Sequence, residues 1–226
     1  MISSSSGRLV IAKVAEPVAR AFARAGIPPD VVTLVGTAGV AGGALGFLPR
    51  GKFWVGVLVI TAFVFSDIVD GALARLLGRS GPWGAWLDSS LDRVGDAAIF
   101  GSLVWWYDGR GGSRLIAGVT LFCLISGSIT SYVKARAEGL GLSANTGLAE
   151  RAERLVLTLV AAFFDDVLGL HWLLPAALWL LAGLSLVTIV QRSAMVWRQS
   201  HPHALAKAAA RAERESAEAT TAAGAP

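Results

Sequence analysis

The sequence predicts an all-α integral membrane protein: six transmembrane helices preceded by an N-terminal interfacial amphipathic helix. Three observations carry that prediction. Of the 226 residues, 54% are hydrophobic and only 16% charged, against about 25% charged in an ordinary soluble domain. The apolar residues gather in runs close to the ~20 residues that a helix needs to cross a bilayer. The lysines and arginines, finally, fall unequally on the two sides that six such runs would define.

The elements follow in order. Residues 1–30 form a juxtamembrane segment, in which "GRLVIAKVAEPVARAFARAG" alternates apolar and basic residues at helical spacing. Leu9, Val10, Val14, Val18 and Phe22 share one broad face, and Lys13, Arg20 and Arg24 fall elsewhere. That profile suits a helix lying on an anionic leaflet. A continuous apolar core and a cleavage-like end are both missing, so it is not a signal peptide. Residues 31–191 carry the six spans, at about 31–48, 53–77, 87–107, 114–133, 154–170 and 173–191. Residues 192–226 form a charged, Ala-rich tail, helical at first and partly disordered beyond.

With an even number of spans both termini share a side. Arg8, Lys13, Arg20 and Arg24, then Arg75, Arg79 and Arg93, lie on that side. So do Lys134, Arg136, Arg151 and Arg154, and in the tail Arg192, Arg198, Lys207, Arg211 and Arg214; together these are sixteen of the twenty basic residues. The other side keeps Arg50, Lys52, Arg110 and Arg114. The bias predicts a multi-pass protein of the cell membrane with both termini in the cytoplasm. A lone cysteine, Cys123, lies in an apolar run, which excludes a disulfide framework and a thiolate metal site. Most of the eight tryptophans stand near span ends, as an aromatic belt does. Asp165, Asp166 and His171 are expected to be solvated at the outer end of the fifth span.

Four carboxylates break the apolar pattern in "SDIVDGALARLLGRSGPWGAWLDSSLDRVGD" (66–96). Asp67 and Asp70 are three apart on the second span, and Asp88 and Asp92 are four apart at the start of the third, so each pair shares a helix face. The "GRSGPWG" between them ends one helix and turns the chain, which makes the two helices antiparallel neighbours and brings both pairs to the cytoplasmic surface. Four negative charges this close stay ionised only if cations compensate them. With neither histidine nor cysteine nearby, the oxygen-only set favours magnesium, manganese or calcium. Pairing with Arg75, Arg79 and Arg93 is the structural alternative. A cation transporter or channel with a carboxylate ion site is the alternative of another class, and the clustering of the acids at one surface weighs against it.

The pattern Asp67-x2-Asp70-Gly71-x2-Ala74-Arg75-x8-Gly84-x3-Asp88-x3-Asp92 resembles the signature of the CDP-alcohol phosphotransferase family. The resemblance implies an enzyme of phospholipid synthesis that moves a substituted phosphate from CDP-diacylglycerol to an alcohol and releases CMP. It implies a two-metal site, with Mg2+ as cofactor and Mn2+ as a substitute. Asp67, Asp70 and Asp88 become metal ligands, and Asp92 both a metal ligand and the general base. The donor-binding set becomes Pro29, Asp30, Val31, Val32, Gly71, Ala74, Arg75, Gly81 and Gly84, with Asp30 read as the N-cap of the first span and Thr33 as a weaker member. Gly71 and Ala74 would leave room for the nucleotide, and Gly84 would permit close helix packing.

Lys134, Arg136, Arg151 and Arg154 cluster in the fourth–fifth region, with Arg192 at the cytoplasmic end of the sixth span, a set suited to gripping a phosphate by charge-assisted bonds. The wording "SYVKARAE…ERAERL…QR" is similar to the actinobacterial phosphatidylinositol phosphate synthases within that family, which implies inositol phosphate as acceptor; glycerol 3-phosphate is the rival. The same resemblance implies Lys134, Arg151, Arg154 and Arg192 as acceptor-phosphate contacts. The resemblance also implies a homodimer, consistent with the small residues of "GTAGVAGGALG" (Gly36–Gly46) as a packing surface. No nucleic-acid partner is expected.

Overall fold

The computed structural model describes residues 16–79, 81–148 and 150–223, with the backbone alone for Asp67 and for residues 203–223. All regular structure among them is helical: α1 (residues 16–24), α2 (Pro29–Phe47), α3 (Phe53–Val64), α4 (Ser66–Leu76), α5 (Pro82–Asp108), α6 (Arg114–Glu138), α7 (Arg151–Leu168) and α8 (Leu173–Ala223). Four segments are long and apolar enough to cross a bilayer: Pro29–Arg50, Phe53–Leu76, Arg114–Glu138 and Leu173–Pro202. The two other expected spans are helices as well, α5 and α7. Asp88, Asp92, Arg93, Asp96 and Asp108 in α5, and Arg151, Glu153, Arg154, Asp165 and Asp166 in α7, make both more polar. Of the expected amphipathic helix, Leu9, Val10, Lys13 and Val14 lie outside the described residues; Val18, Arg20, Phe22 and Arg24 fall in α1.

Two boundaries depart from the sequence reading. The second span is two helices, broken at Phe65. There the Ser66 hydroxyl donates to the Phe63 carbonyl (2.6 Å), a local bond that competes with the helix ladder. At the start of α2 the cap is Pro28 in an extended conformation (φ −74°, ψ 150°), and Pro29 opens the helix. Proline suits that first position, where an N–H would have no helical partner. Asp30 is therefore inside the first turn and is not the cap; its carboxylate is used elsewhere.

The chain forms two compact units. The first gathers residues up to Ile125 with Ala152–Ala182; the second gathers Ser126–Arg151 with the chain from Gly183 on. In the first, α2 packs against α3, α4 and α5. Its small residues make the close approach possible: a Cβ at Gly36 would collide with Ser66 Oγ, and one at Gly39 with the Phe63 ring. Gly42 and Gly46 have no such neighbour. Val32, Leu73 and Ala19 close a small core between α1, α2 and α4.

The outer end of this unit corrects another expectation. Asp165 is buried and Asp166 is hydrogen-bonded, and each caps a different helix. Asp165 Oδ1 accepts from Leu174 N (2.9 Å) at the start of α8, and Asp166 Oδ2 from Trp54 N (2.9 Å) at the start of α3. Helix N-termini expose unpaired N–H groups and a positive dipole end, so carboxylates are drawn there. Cys123 is buried, with Sγ 3.4 Å from the Leu178 carbonyl.

In the second unit Arg192, on α8, is buried and ties down the connection between α6 and α7. Its Nε donates to Thr146 O (2.7 Å), Nη1 to Thr130 O (2.9 Å), and Nη2 stands 3.5 Å from Glu150 Oε1. Thr188 Oγ1 accepts from Leu148 N (3.2 Å), and Gln199 exchanges two hydrogen bonds with the Ser143 backbone.

Candidate active site

The turn after α4 passes through Gly78 at φ +63°, a left-handed conformation that glycine adopts without steric cost. The chain then re-enters a helix at Pro82. A cavity of about 450 Å³ opens between α2, α4 and α5. Asp70 and Asp88 line it from facing helices. Gly71, Ala74 and Arg75 reach it from α4, Gly81 and Gly84 from the start of α5, and Pro29 and Asp30 from α2. Residues separated by up to 59 positions in sequence thus meet in one space.

Asp70 is buried and accepts a 2.5 Å hydrogen bond from Thr33 Oγ1, which aims its carboxylate. Asp88 is exposed. One turn further along α5, Asp92 faces Arg93 at 3.7 Å, and one turn beyond that stands Asp96. Asp96 Oδ2 accepts from Arg154 Nη2 at 3.0 Å, with both side chains almost wholly buried (5% and 3% exposed), and Arg93 approaches the same oxygen at 3.8 Å. A guanidinium placed in so dry an environment needs a counter-charge, and Asp96 is that charge. Sequence reasoning passed over Asp96; its position four residues after Asp92, on the same helical face, was the available signal.

The glycines leave this space open. A Cβ at Gly71 would meet nothing closer than Arg75 Nη1 at 3.6 Å, and at Gly81 or Gly84 nothing within 4 Å. Close helix packing therefore does not account for Gly84. Small residues here leave the cavity open rather than letting protein approach protein.

Other expected residues are placed differently. Val31 and Val32 line a separate apolar cavity of about 370 Å³, with Phe22, Phe63 and Val69. Asp67 lies on α4 three residues before Asp70, and its side chain is outside the described residues. Among the described residues no three carboxylate, histidine or cysteine side chains form a metal-binding group. Lys134, Arg151 and Arg192 belong to the second compact unit, and Arg154 to the first.

Residues 27–190 match the family model for CDP-alcohol phosphatidyltransferase. The chain belongs to that family. A CDP-alcohol phosphatidyltransferase is an enzyme, and this one is an all-α membrane protein, which removes the transporter alternative. The chain is 54% identical over 199 residues to a phosphatidylinositol phosphate synthase of Streptomyces avermitilis, covering 85% of this chain and 82% of that protein. It is 44% identical over 187 residues to one of Mycolicibacterium smegmatis, covering 82% and 84%. Among solved structures it is similar to the Mycobacterium tuberculosis phosphatidylinositol phosphate synthase with CDP-DAG bound, at 41% identity and a TM-score of 0.79, over 82% of this chain and 94% of that one. The same mycobacterial enzyme in complex with manganese and citrate matches with a TM-score of 0.78 at 41% identity, over 81% and 88%.

Proposed function

We propose that this phosphatidyltransferase moves the phosphatidyl group from CDP-diacylglycerol to myo-inositol phosphate, giving phosphatidylinositol phosphate and CMP, at the cytoplasmic face of the plasma membrane. The observation that carries the reading is the cavity lined together by Asp70, Gly71, Ala74 and Arg75 of α4 and by Gly84 and Asp88 of α5. The names of the similar proteins support inositol phosphate as acceptor, and the CDP-DAG complex of the mycobacterial enzyme supports the donor.

The oxygen-only donor set fits hard divalent cations, and Asp67, Asp70, Asp88 and Asp92 would hold a pair of them, Mg2+ or Mn2+. When bound, such cations neutralise pyrophosphate oxygens and the charge that develops on the leaving phosphate. Asp92 takes the proton of the acceptor hydroxyl. The hydroxyl oxygen then bonds to the phosphorus that carries diacylglycerol, the bond from that phosphorus to the bridging oxygen breaks, and CMP leaves with its electrons. Arg75 offers a planar donor fork to the donor's phosphates. Pro29 and Asp30 line the donor's cavity, where Gly71, Ala74, Gly81 and Gly84 leave room; Val31 and Val32 line the separate apolar cavity. Lys134, Arg151, Arg154 and Arg192 are the residues that the resemblance to phosphatidylinositol phosphate synthases offers to the acceptor phosphate; Arg154 is held by Asp96, and Arg192 is bonded to the Thr130 and Thr146 carbonyls. The assembly is a homodimer.

The test is CMP release by purified protein from CDP-diacylglycerol, with inositol phosphate, glycerol 3-phosphate or free inositol as acceptor. Release with inositol phosphate alone, abolished by a chelator, is the expected result. Turnover of glycerol 3-phosphate in its place would make the product phosphatidylglycerophosphate. No CMP with any phosphorylated polyol refutes the reading. Arg151→Ala should raise the acceptor KM while leaving the donor KM near wild type.

A further inference from the structure

One side chain at the mouth of the cavity is unlike the rest of its lining. Trp83, in the first turn of α5, is the aromatic residue among those that line the space. Its indole is held on two sides. Nε1 donates to Asp30 Oδ2 at 3.0 Å, tying α5 to the first turn of α2. Trp86 stacks on it with ring centroids 5.2 Å apart and planes 26° from parallel. A ring whose polar edge is bonded and whose one face is covered would ordinarily be well buried, yet Trp83 is 61% exposed. Beyond these two contacts the ring is largely uncovered by protein.

We propose that the open face of Trp83 is the stacking platform for the cytosine base of the donor and of CMP, with Asp30 and Trp86 fixing its plane. The inference rests on the phosphotransferase reading of the same cavity and adds to it a base-recognising residue. The chemistry divides the lining. Carboxylates with their cations and Arg75 suit the charged pyrophosphate, but none of them offers a flat apolar surface to a base. An indole does, and base–aromatic stacking is a general means of holding a nucleobase. Tryptophan at a membrane surface also serves as an interfacial anchor, and an anchor needs neither a fixed plane nor a place in the cavity wall. The link also gives Asp30 a task that capping α2 does not.

The experiment uses the full-length protein in detergent with Mg2+ present, with CMP as the probe and ribose 5-phosphate, which lacks the base, as its control. CMP release from CDP-diacylglycerol by the wild type is measured first; if it is absent the phosphotransferase reading has failed, independently of Trp83. Binding is then followed by calorimetry. Trp83→Ala is expected to weaken CMP binding roughly five- to a hundredfold, the span that loss of one stacked base gives, and to leave ribose 5-phosphate binding unchanged. Trp83→Phe keeps a ring face and should retain most of the affinity. Asp30→Ala, which frees the indole edge, should fall between. If Trp83→Ala binds CMP as tightly as the wild type, or loses CMP and ribose 5-phosphate in equal proportion, the stacking role is wrong. A variant that turns over lipid donor poorly but binds CMP normally would make Trp83 a membrane anchor instead.

Discussion

Gly71→Ala separates the two reasons a helix keeps a glycine, because they predict opposite signs. Gly71 lies inside α4, where alanine is favoured over glycine by about 0.8–1 kcal/mol. The new methyl would have Arg75 Nη1 as its nearest neighbour at 3.6 Å, an ordinary contact. The protein alone should therefore gain about 1 kcal/mol, a rise of about 2–4 °C in melting temperature. Gly71 lines the cavity, so a methyl there should weaken donor binding. Gly36→Ala is the comparison: its Cβ would overlap Ser66 Oγ, and overpacking of that kind costs about 1–3 kcal/mol. The assays are thermal unfolding in detergent and CMP affinity with the apparent KM for CDP-diacylglycerol. A Gly71→Ala enzyme more stable than wild type but with unchanged donor and CMP affinity would refute the claim that this glycine serves the ligand. A loss of stability would refute the reading of the space around it.

Asp92→Asn should lower kcat by about 10²–10⁴-fold, the range for removal of a general base, with the fold retained; a near-normal kcat would move the base elsewhere. Asp96→Ala removes the buried carboxylate that Arg154 bonds at 3.0 Å and should destabilise the protein by about 3–5 kcal/mol. Combining it with Arg154→Met should restore stability but not acceptor binding, as measured by unfolding and acceptor KM. Asp165→Ala removes an N-terminal hydrogen bond of α8 and should cost about 0.5–2 kcal/mol while leaving kcat unchanged, since the residue is at the opposite end of α7 from Arg154.

Much of this protein follows from the order of its residues. Apolar runs can satisfy their backbone in lipid only as helices, so the all-α membrane fold is local information. The spacing Asp67-x2-Asp70 and Asp88-x3-Asp92 around a glycine-proline turn determines which helix faces carry acid, and the same residues carry the family signature. Partnership was not legible. Asp165 and Asp166 read as solvent-facing because the backbone N–H groups they accept from, at Leu174 and Trp54, lie 9 and 112 positions away. Asp96 and Arg154 meet across 58 positions, and Trp83 meets Asp30 across 53. Helical periodicity states which way a side chain leaves its own helix, but only the packing of one helix on another decides what it finds there. The physical reason is range: backbone geometry and hydrophobic pattern act within a few turns, whereas ion pairing, capping across helices and cavity shape depend on distances that the assembled fold alone establishes.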